Sequence, residues 1–169
     1  LGLNAASLDN AALVWAQDHL AILSGLYGVL RPMDLIQPYR LEMGTRLKTR
    51  RGKDLYAFWG DRVTKRIQAQ LAEHGDQTLV NLASKEYFSV LQPKVLPGPV
   101  ITPAFKELRD GKMRMISFFA KRARGRMARF MVEQRLDRPE GLKDFKLDGY
   151  SYDSALSDER TWIFTRPQP

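Results

Sequence analysis

The chain has 169 residues, 44% hydrophobic and 27% charged, which is enough for one domain with a real core and excludes wholesale disorder. It has no cysteine, which excludes disulfide staples, thiolate-held zinc or iron–sulfur clusters and a cysteine nucleophile. With 27 Lys and Arg against 19 Asp and Glu, the net charge is +8, so a polyanionic partner is the leading expectation.

The chain opens on Leu1-Gly2-Leu3, already apolar and without an initiator Met, and reads as incomplete at its N-terminus. Asp9 is a good N-cap for a first helix carrying Ala11, Leu13, Val14, Trp15, Leu20 and Leu23. Gly25 and Gly28 are expected to end or turn it, and Pro32 and Pro38 make the next stretch irregular or extended. From Asp54, Leu55, Phe58, Trp59, Val63, Ile67 and Leu71 recur at helical spacing, predicting one helix that ends near Gly75. Thr78-Leu79-Val80-Asn81-Leu82 reads as a short buried strand, and a short helix follows over residues 84–91, closed by Pro93. Strands over residues 100–108 and 112–118 flank Arg109-Asp110-Gly111, where Asp-Gly signals a hairpin. A long helix over residues 119–136 stops before Pro139. Residues 150–152 and 162–165 predict a last hairpin. Helices and strands mix without regular alternation, so the expected class is α+β, as a single mixed domain. No run reaches the ~18 apolar residues of a membrane helix, and no membrane association is expected. The lack of cysteine and of a signal peptide fits a reducing cytoplasm.

The charge is unevenly placed. Residues 31–66 hold ten bases and four acids, and residues 106–138 hold eleven and four. These two segments carry +13, and the remaining three sum to −5. They either form a basic surface or cleft, or are two solvated faces. The densest run is Lys121-Arg122-Ala123-Arg124-Gly125-Arg126-Met127-Ala128-Arg129. On a helix, Arg122, Arg126 and Arg129 share one face, Lys121 and Arg124 another, and Ala120, Ala123, Met127, Phe130 and Met131 form the apolar stripe. Gly125 in mid-helix implies close backbone approach to a partner element or ligand. Arg46-Leu47-Lys48-Thr49-Arg50-Arg51-Gly52-Lys53 reads as a flexible basic loop able to follow a phosphate backbone.

Leu23-Ser24-Gly25-Leu26-Tyr27-Gly28-Val29-Leu30 has two readings. One is a helix-hairpin-helix turn that holds a DNA phosphate on backbone N–H groups; the other is a plain helix C-cap and turn. Asn81-Leu82-Ala83-Ser84-Lys85-Glu86-Tyr87-Phe88 runs a strand into a helix N-terminus, which favours an anion or simply uses Ser84 as N-cap. Gln37-Pro38-Tyr39-Arg40-Leu41-Glu42-Met43 brings Tyr, Arg and Glu together, as chemistry or as an Arg40–Glu42 ion pair. There is no HExxH, P-loop or nucleotide-binding glycine triplet. His19 and His74 are the two histidines, distant in sequence, which gives direct iron binding little support.

The stretch Leu23-Ser24-Gly25-Leu26-Tyr27-Gly28-Val29-Leu30-Arg31-Pro32 resembles the signature of the YaaA peroxide-stress family. So do Gln37-Pro38-Tyr39-Arg40-Leu41-Glu42-Met43-Gly44, Asn81-Leu82-Ala83-Ser84 with Glu86-Tyr87-Phe88, and Ala120-Lys121-Arg122-Ala123-Arg124-Gly125. Four motifs in order across nearly the whole chain carry the resemblance. It implies a cytoplasmic bacterial protein of the hydrogen-peroxide response that limits damage to DNA and protein by lowering free intracellular iron. It also implies DNA binding, a helix-hairpin-helix-like element and a basic cleft on an α+β fold. Residues 1–169 then form one YaaA-like domain, the C-terminal two-thirds of the family fold. The hairpin falls over residues 25–28, Gly25 to Gly28, with Arg40, Lys121 and Arg124 as cleft bases. The family's opening segment, with its Ser-Pro-Ala-Lys-Thr run, is absent, and Arg122 stands where relatives often have Lys.

The expected nucleic-acid contacts are therefore Gly25, Gly28, Arg40, Lys48, Arg50, Arg51, Lys121, Arg122, Arg124 and Arg126. The cleft candidates are Tyr39, Glu42, Asn81, Ser84 and Glu86. The expected partner is DNA, held mainly through phosphates, and neither a cofactor nor a metal is assigned. The rival reading is an enzyme that acts on an anionic small molecule or nucleotide in a basic cleft.

Overall fold

The chain was analysed as a computed structural model that describes residues 2–167. Asp9 caps the first helix as expected, its carboxylate accepting from the Ala12 N–H at 2.7 Å. Helix α1 covers Asn10–His19 and stops short of the expected Leu23. Ile22–Ser24 (β1) and Gly28–Leu30 (β2) pair antiparallel instead. The Tyr27 N–H donates to Ser24 Oγ at 2.9 Å and closes the turn, and Gly28 takes a left-handed φ of 76°. The Gly25–Gly28 segment is thus flanked by strands on both sides, not by the helices of a helix-hairpin-helix module.

The single helix expected from Asp54 is two helices, α2 (Leu55–Trp59) and α3 (Arg62–Leu71). Gly60, at φ 54°, breaks the run between them, while the apolar spacing carries on across the break. Asp54 caps α2 by accepting from the Ala57 N–H at 2.9 Å. β3 (Leu79–Val80) is followed by α4 (Lys85–Phe88), with Ser84 as its N-cap. β4 (Val100–Arg109) turns through Asp110 and Gly111, both at positive φ, into β5 (Lys112–Arg114), the hairpin that Asp-Gly signals. β5 ends earlier than expected because α5 (Ser117–Gln134) begins two residues ahead of the predicted start. β6 (Ser151–Asp153) and β7 (Thr161–Pro167) form the last antiparallel pair. The class is α+β. No helix among the described residues is long and apolar enough to cross a membrane.

The described chain falls into two compact units. The sheet unit comprises residues 78–82 with the described parts of residues 1–12 and 99–169. Its strand order is β3-β4-β7-β6, with β5 also on β4. The β4–β7 pairing is parallel and needs a crossover, which α5 supplies while packing against β4. Alternation along β4 turns Ile101, Phe105 and Glu107 inward. Phe105, Phe145, Tyr150 and Phe164 pack ring against ring, and Ala120, Ala123, Met127 and Leu142 complete the core.

The hairpin unit comprises residues 13–77 and 83–98, with β1, β2, α2, α3 and α4. Its buried side chains include Met43, Leu55, Val63, Ile67, Leu71, Val90 and Leu91. Thr64, also buried, accepts from the Gln92 N–H at 3.0 Å and ties α3 to the segment after α4.

Candidate nucleic-acid interface and polar cluster

In the hairpin unit, the residues of three family-like motifs gather around the β1–β2 turn. Ser24 is buried and its hydroxyl lies 2.5 Å from the Tyr39 hydroxyl. Tyr27 packs edge-on to Tyr39, centroids 5.4 Å apart, and its hydroxyl accepts from the Gln37 N–H at 3.1 Å. Gly25 and Gly28 serve this packing rather than presenting a bare phosphate loop. A Cβ on Gly25 would lie 2.5 Å from the Leu41 carbonyl, and one on Gly28 would lie 2.9 Å from the Trp59 ring. The Trp59 indole N–H donates to the Gly25 carbonyl at 3.0 Å.

The carboxylates next to this turn are engaged. Glu86 accepts from the Gly44 N–H at 2.7 Å, and its carbonyl accepts from the Tyr56 hydroxyl at 2.9 Å. Glu42 accepts from the Tyr87 hydroxyl at 3.3 Å. An Arg40–Glu42 ion pair is therefore not what orders this segment; Arg40 is exposed, with no carboxylate at ion-pair distance among the described residues. Burial raises the pKa values of Tyr87 and Tyr56, helped by Glu42 at Tyr87 and by Glu86 and Asp54 at Tyr56. Ser84 accepts from the Tyr87 N–H at 3.4 Å, the capping role weighed for it.

The basic segment of residues 46–53, read from the sequence as a flexible loop, is drawn into a tight turn at its centre. Thr49 and Gly52 form an antiparallel bridge, with Thr49 N–H to Gly52 carbonyl at 2.9 Å and the reverse bond at 3.3 Å. Arg50 and Arg51 occupy its tip, and the Arg51 N–H donates to Thr49 Oγ1 at 3.1 Å. The Arg51 guanidinium lies 5.4 Å from the Phe58 ring centroid and that of Arg62 lies 5.1 Å from it. Arg46, Lys48, Arg50, Arg51 and Lys53 are all exposed.

In the sheet unit, α5 presents its bases differently. Arg122 and Arg126 share Asp148, at 3.4 and 3.8 Å. Arg129 pairs with Glu133 at 2.8 Å and donates to the Leu3 carbonyl, the Asn4 carbonyl and Ser7 Oγ at 3.0, 3.1 and 2.7 Å. Arg124 is half-buried, its pKa lowered by that burial, and its Nε donates to the Ala120 carbonyl at 3.4 Å. Lys121 is exposed. Gly125 meets the expectation of close approach, because a Cβ there would lie 2.8 Å from the Gly2 Cα. Asn81 donates from its side chain to Thr102 Oγ1 at 3.3 Å within the sheet unit.

Beneath α5, the fully buried Glu107 accepts from the Tyr150 hydroxyl and lies 3.5 Å from Arg166 Nε. Burial, reinforced by Glu107, raises the Tyr150 pKa well above its ordinary value. Arg166 also lies 4.4 Å from the Tyr150 ring centroid and donates to the Asp148 carbonyl at 2.9 Å.

Sequence reasoning missed Ser24, Tyr27, Tyr56, Phe58, Arg62 and Asp148. The i, i+4 spacing of Phe58 and Arg62 and the Asp148-Gly149 turn dipeptide were the available signals. It also separated His19 from His74, whose rings lie 4.5 Å apart in the hairpin unit. Among the described residues, no group of three or more His, Cys, Asp and Glu could hold a metal ion.

A family model described as "Peroxide stress protein YaaA" matches residues 1–156. A UPF0246 protein of Caulobacter vibrioides is 57% identical over 168 residues, covering 99% of this chain and 66% of the relative. One from Janthinobacterium sp. (strain Marseille) is 58% identical over 165 residues, 98% of this chain and 64% of the relative. One from Magnetococcus marinus is 57% identical over 166 residues, 98% and 65%. The chain thus spans 64–66% of the length of these curated relatives.

Proposed function

The chain belongs to the YaaA peroxide stress protein family, and from that premise we propose that it is a cytoplasmic bacterial protein of the hydrogen-peroxide response that binds DNA. Its role is to limit oxidative damage by lowering free intracellular iron. The observation that carries DNA binding is the concentration of +13 in two segments of a chain whose net charge is +8. A polyanion is the natural counterpart of such runs, and phosphates rather than base edges are the groups they meet. Binding measured by fluorescence anisotropy on a labelled duplex is expected to weaken steeply between 50 and 200 mM salt and to differ little among sequences. A flat salt response overturns this reading.

The polar cluster of the hairpin unit favours a second reading, an enzyme acting on an anionic small molecule or nucleotide. Two tyrosine hydroxyls, at Tyr39 and Tyr87, contact a serine hydroxyl and a carboxylate, which is chemistry suited to moving protons. In this reading, calorimetric titration with ATP gives saturable binding that Tyr39→Phe weakens, while duplex affinity is unchanged.

A further inference from the structure

We infer that the phosphate-contacting surface is the basic turn of residues 46–53 together with the start of α3, and that Arg122, Arg126 and Arg129 of α5 serve the fold instead. This rests on the DNA-binding reading and assigns it a surface. Three observations on the hairpin unit converge. The turn has a closed neck: the Thr49–Gly52 bridge joins its two sides, and Gly52 backs so closely on Ala57 that a Cβ would collide with that side chain. Asp54 then caps α2 immediately after it. A turn closed in this way pays less ordering entropy on binding than an open loop does.

The cations of this turn are also unneutralised. Among the described residues no carboxylate lies at ion-pair distance from Arg46, Lys48, Arg50, Arg51 or Lys53. A phosphate arriving here displaces only condensed ions and water. The surface continues onto α3. Arg62 is pinned by its bond to the Phe58 carbonyl and by its place over the Phe58 ring, and exposed Arg66 follows one turn later. The guanidinium forks of Arg50, Arg51 and Arg62 suit phosphate oxygens better than a row of lysines would.

At Arg122, Arg126 and Arg129 of α5 a phosphate has to compete with groups already in place, whereas exposed Lys121 and half-buried Arg124 have no carboxylate at ion-pair distance among the described residues. Arg122 and Arg126 hold Asp148, and the same residue's carbonyl takes Arg166. Arg129 holds the backbone of Leu3 and Asn4. Its four short polar contacts account for a side chain only 15% exposed.

The test compares two variants of the intact chain. One is Lys48→Ala/Arg50→Ala/Arg51→Ala/Lys53→Ala, and the other is Arg122→Ala/Arg126→Ala. Anisotropy titrations on a labelled duplex, at several salt concentrations, are read beside thermal unfolding. The turn variant is expected to lower the slope of log affinity against log salt by about three to four and to cost at least about a hundredfold at ~0.1 M salt. Its unfolding midpoint should not move, because all four side chains are exposed. The α5 variant is expected to unfold earlier and to keep its affinity within about threefold. Loss of binding in the α5 variant alone overturns the assignment while DNA binding stands. Failure of the unsubstituted chain to bind duplex overturns both. Turn-dependent capture by phosphatidylserine vesicles without duplex binding also overturns it, in favour of a membrane surface.

Discussion

Two stretches have nearly the same charge, but the bases of the 46–53 turn in the first and three arginines of α5 in the second meet opposite fates. Residues 31–66 carry +6 and residues 106–138 carry +7. In the first, the cations at the tip of the 46–53 turn stand in solvent with no carboxylate partner among the described residues. In the second, Arg122, Arg126 and Arg129 are spent on Asp148, Glu133 and the backbone of residues 3 and 4. Density of positive charge along a sequence therefore does not measure the charge left free for a partner. The free charge is what remains after the fold has satisfied its own carboxylates and carbonyls.

The sharpest way to break this contrast is through the anchored side of α5. Met127 is fully buried in the core of the sheet unit. Met127→Ala is expected to cost about 2–5 kcal/mol in chemical denaturation. The same substitution should leave the salt slope of DNA binding unchanged, and a changed slope would mean that α5 touches phosphate after all. Arg129→Ala comes next. It removes an ion pair and three hydrogen bonds to the N-terminal segment, and about 1–3 kcal/mol is expected. Hydrogen exchange should show the 3-10 turn at Ala5–Ser7 losing protection first. If exchange there is unaltered, Arg129 is surplus charge rather than a clamp.

Asp54→Ala probes the other stretch and has the smallest expected effect on stability. Loss of the α2 cap is worth about 1 kcal/mol, measured by thermal unfolding. Because the cap adjoins the basic turn, the substitution also removes a carboxylate next to Lys53. Duplex affinity is expected to stay level or rise slightly as this negative charge is lost. A large fall would show that the geometry of the turn, more than its charge, decides binding.

Much of the scaffold was legible. Asp9 and Ser84 each cap a helix because a short polar side chain ahead of an apolar-periodic run has few better uses, and Asp54, read only as the start of the helical spacing, does the same. Asp110-Gly111 turns β4 into β5 because both positions require positive φ. Gly125 marked a backbone crossing, although its partner, Gly2, lies at the far end of the chain. The β1–β2 hairpin was not legible. Leu23 continues the helical spacing of α1, and only pairing with Val29 turns it into a strand.

The sequence by itself determined the α+β class, the Asp9 cap, the placement of charge in two stretches and the family. All of these are local or compositional properties: a cap needs three neighbouring residues, and a charge count needs none. Only the tertiary structure decided which cations are available. Arg122 and Arg126 became structural when the Asp148-Gly149 turn brought a carboxylate to their face of α5, and Arg129 did so when residues 3–7 crossed the helix. Arg50 and Arg51 stayed free because the bridge at Thr49 and Gly52 holds them at the tip of a turn that no carboxylate reaches among the described residues. The physical reason is range. An ion pair forms over a few ångströms, and the chain brings residues that close only by folding.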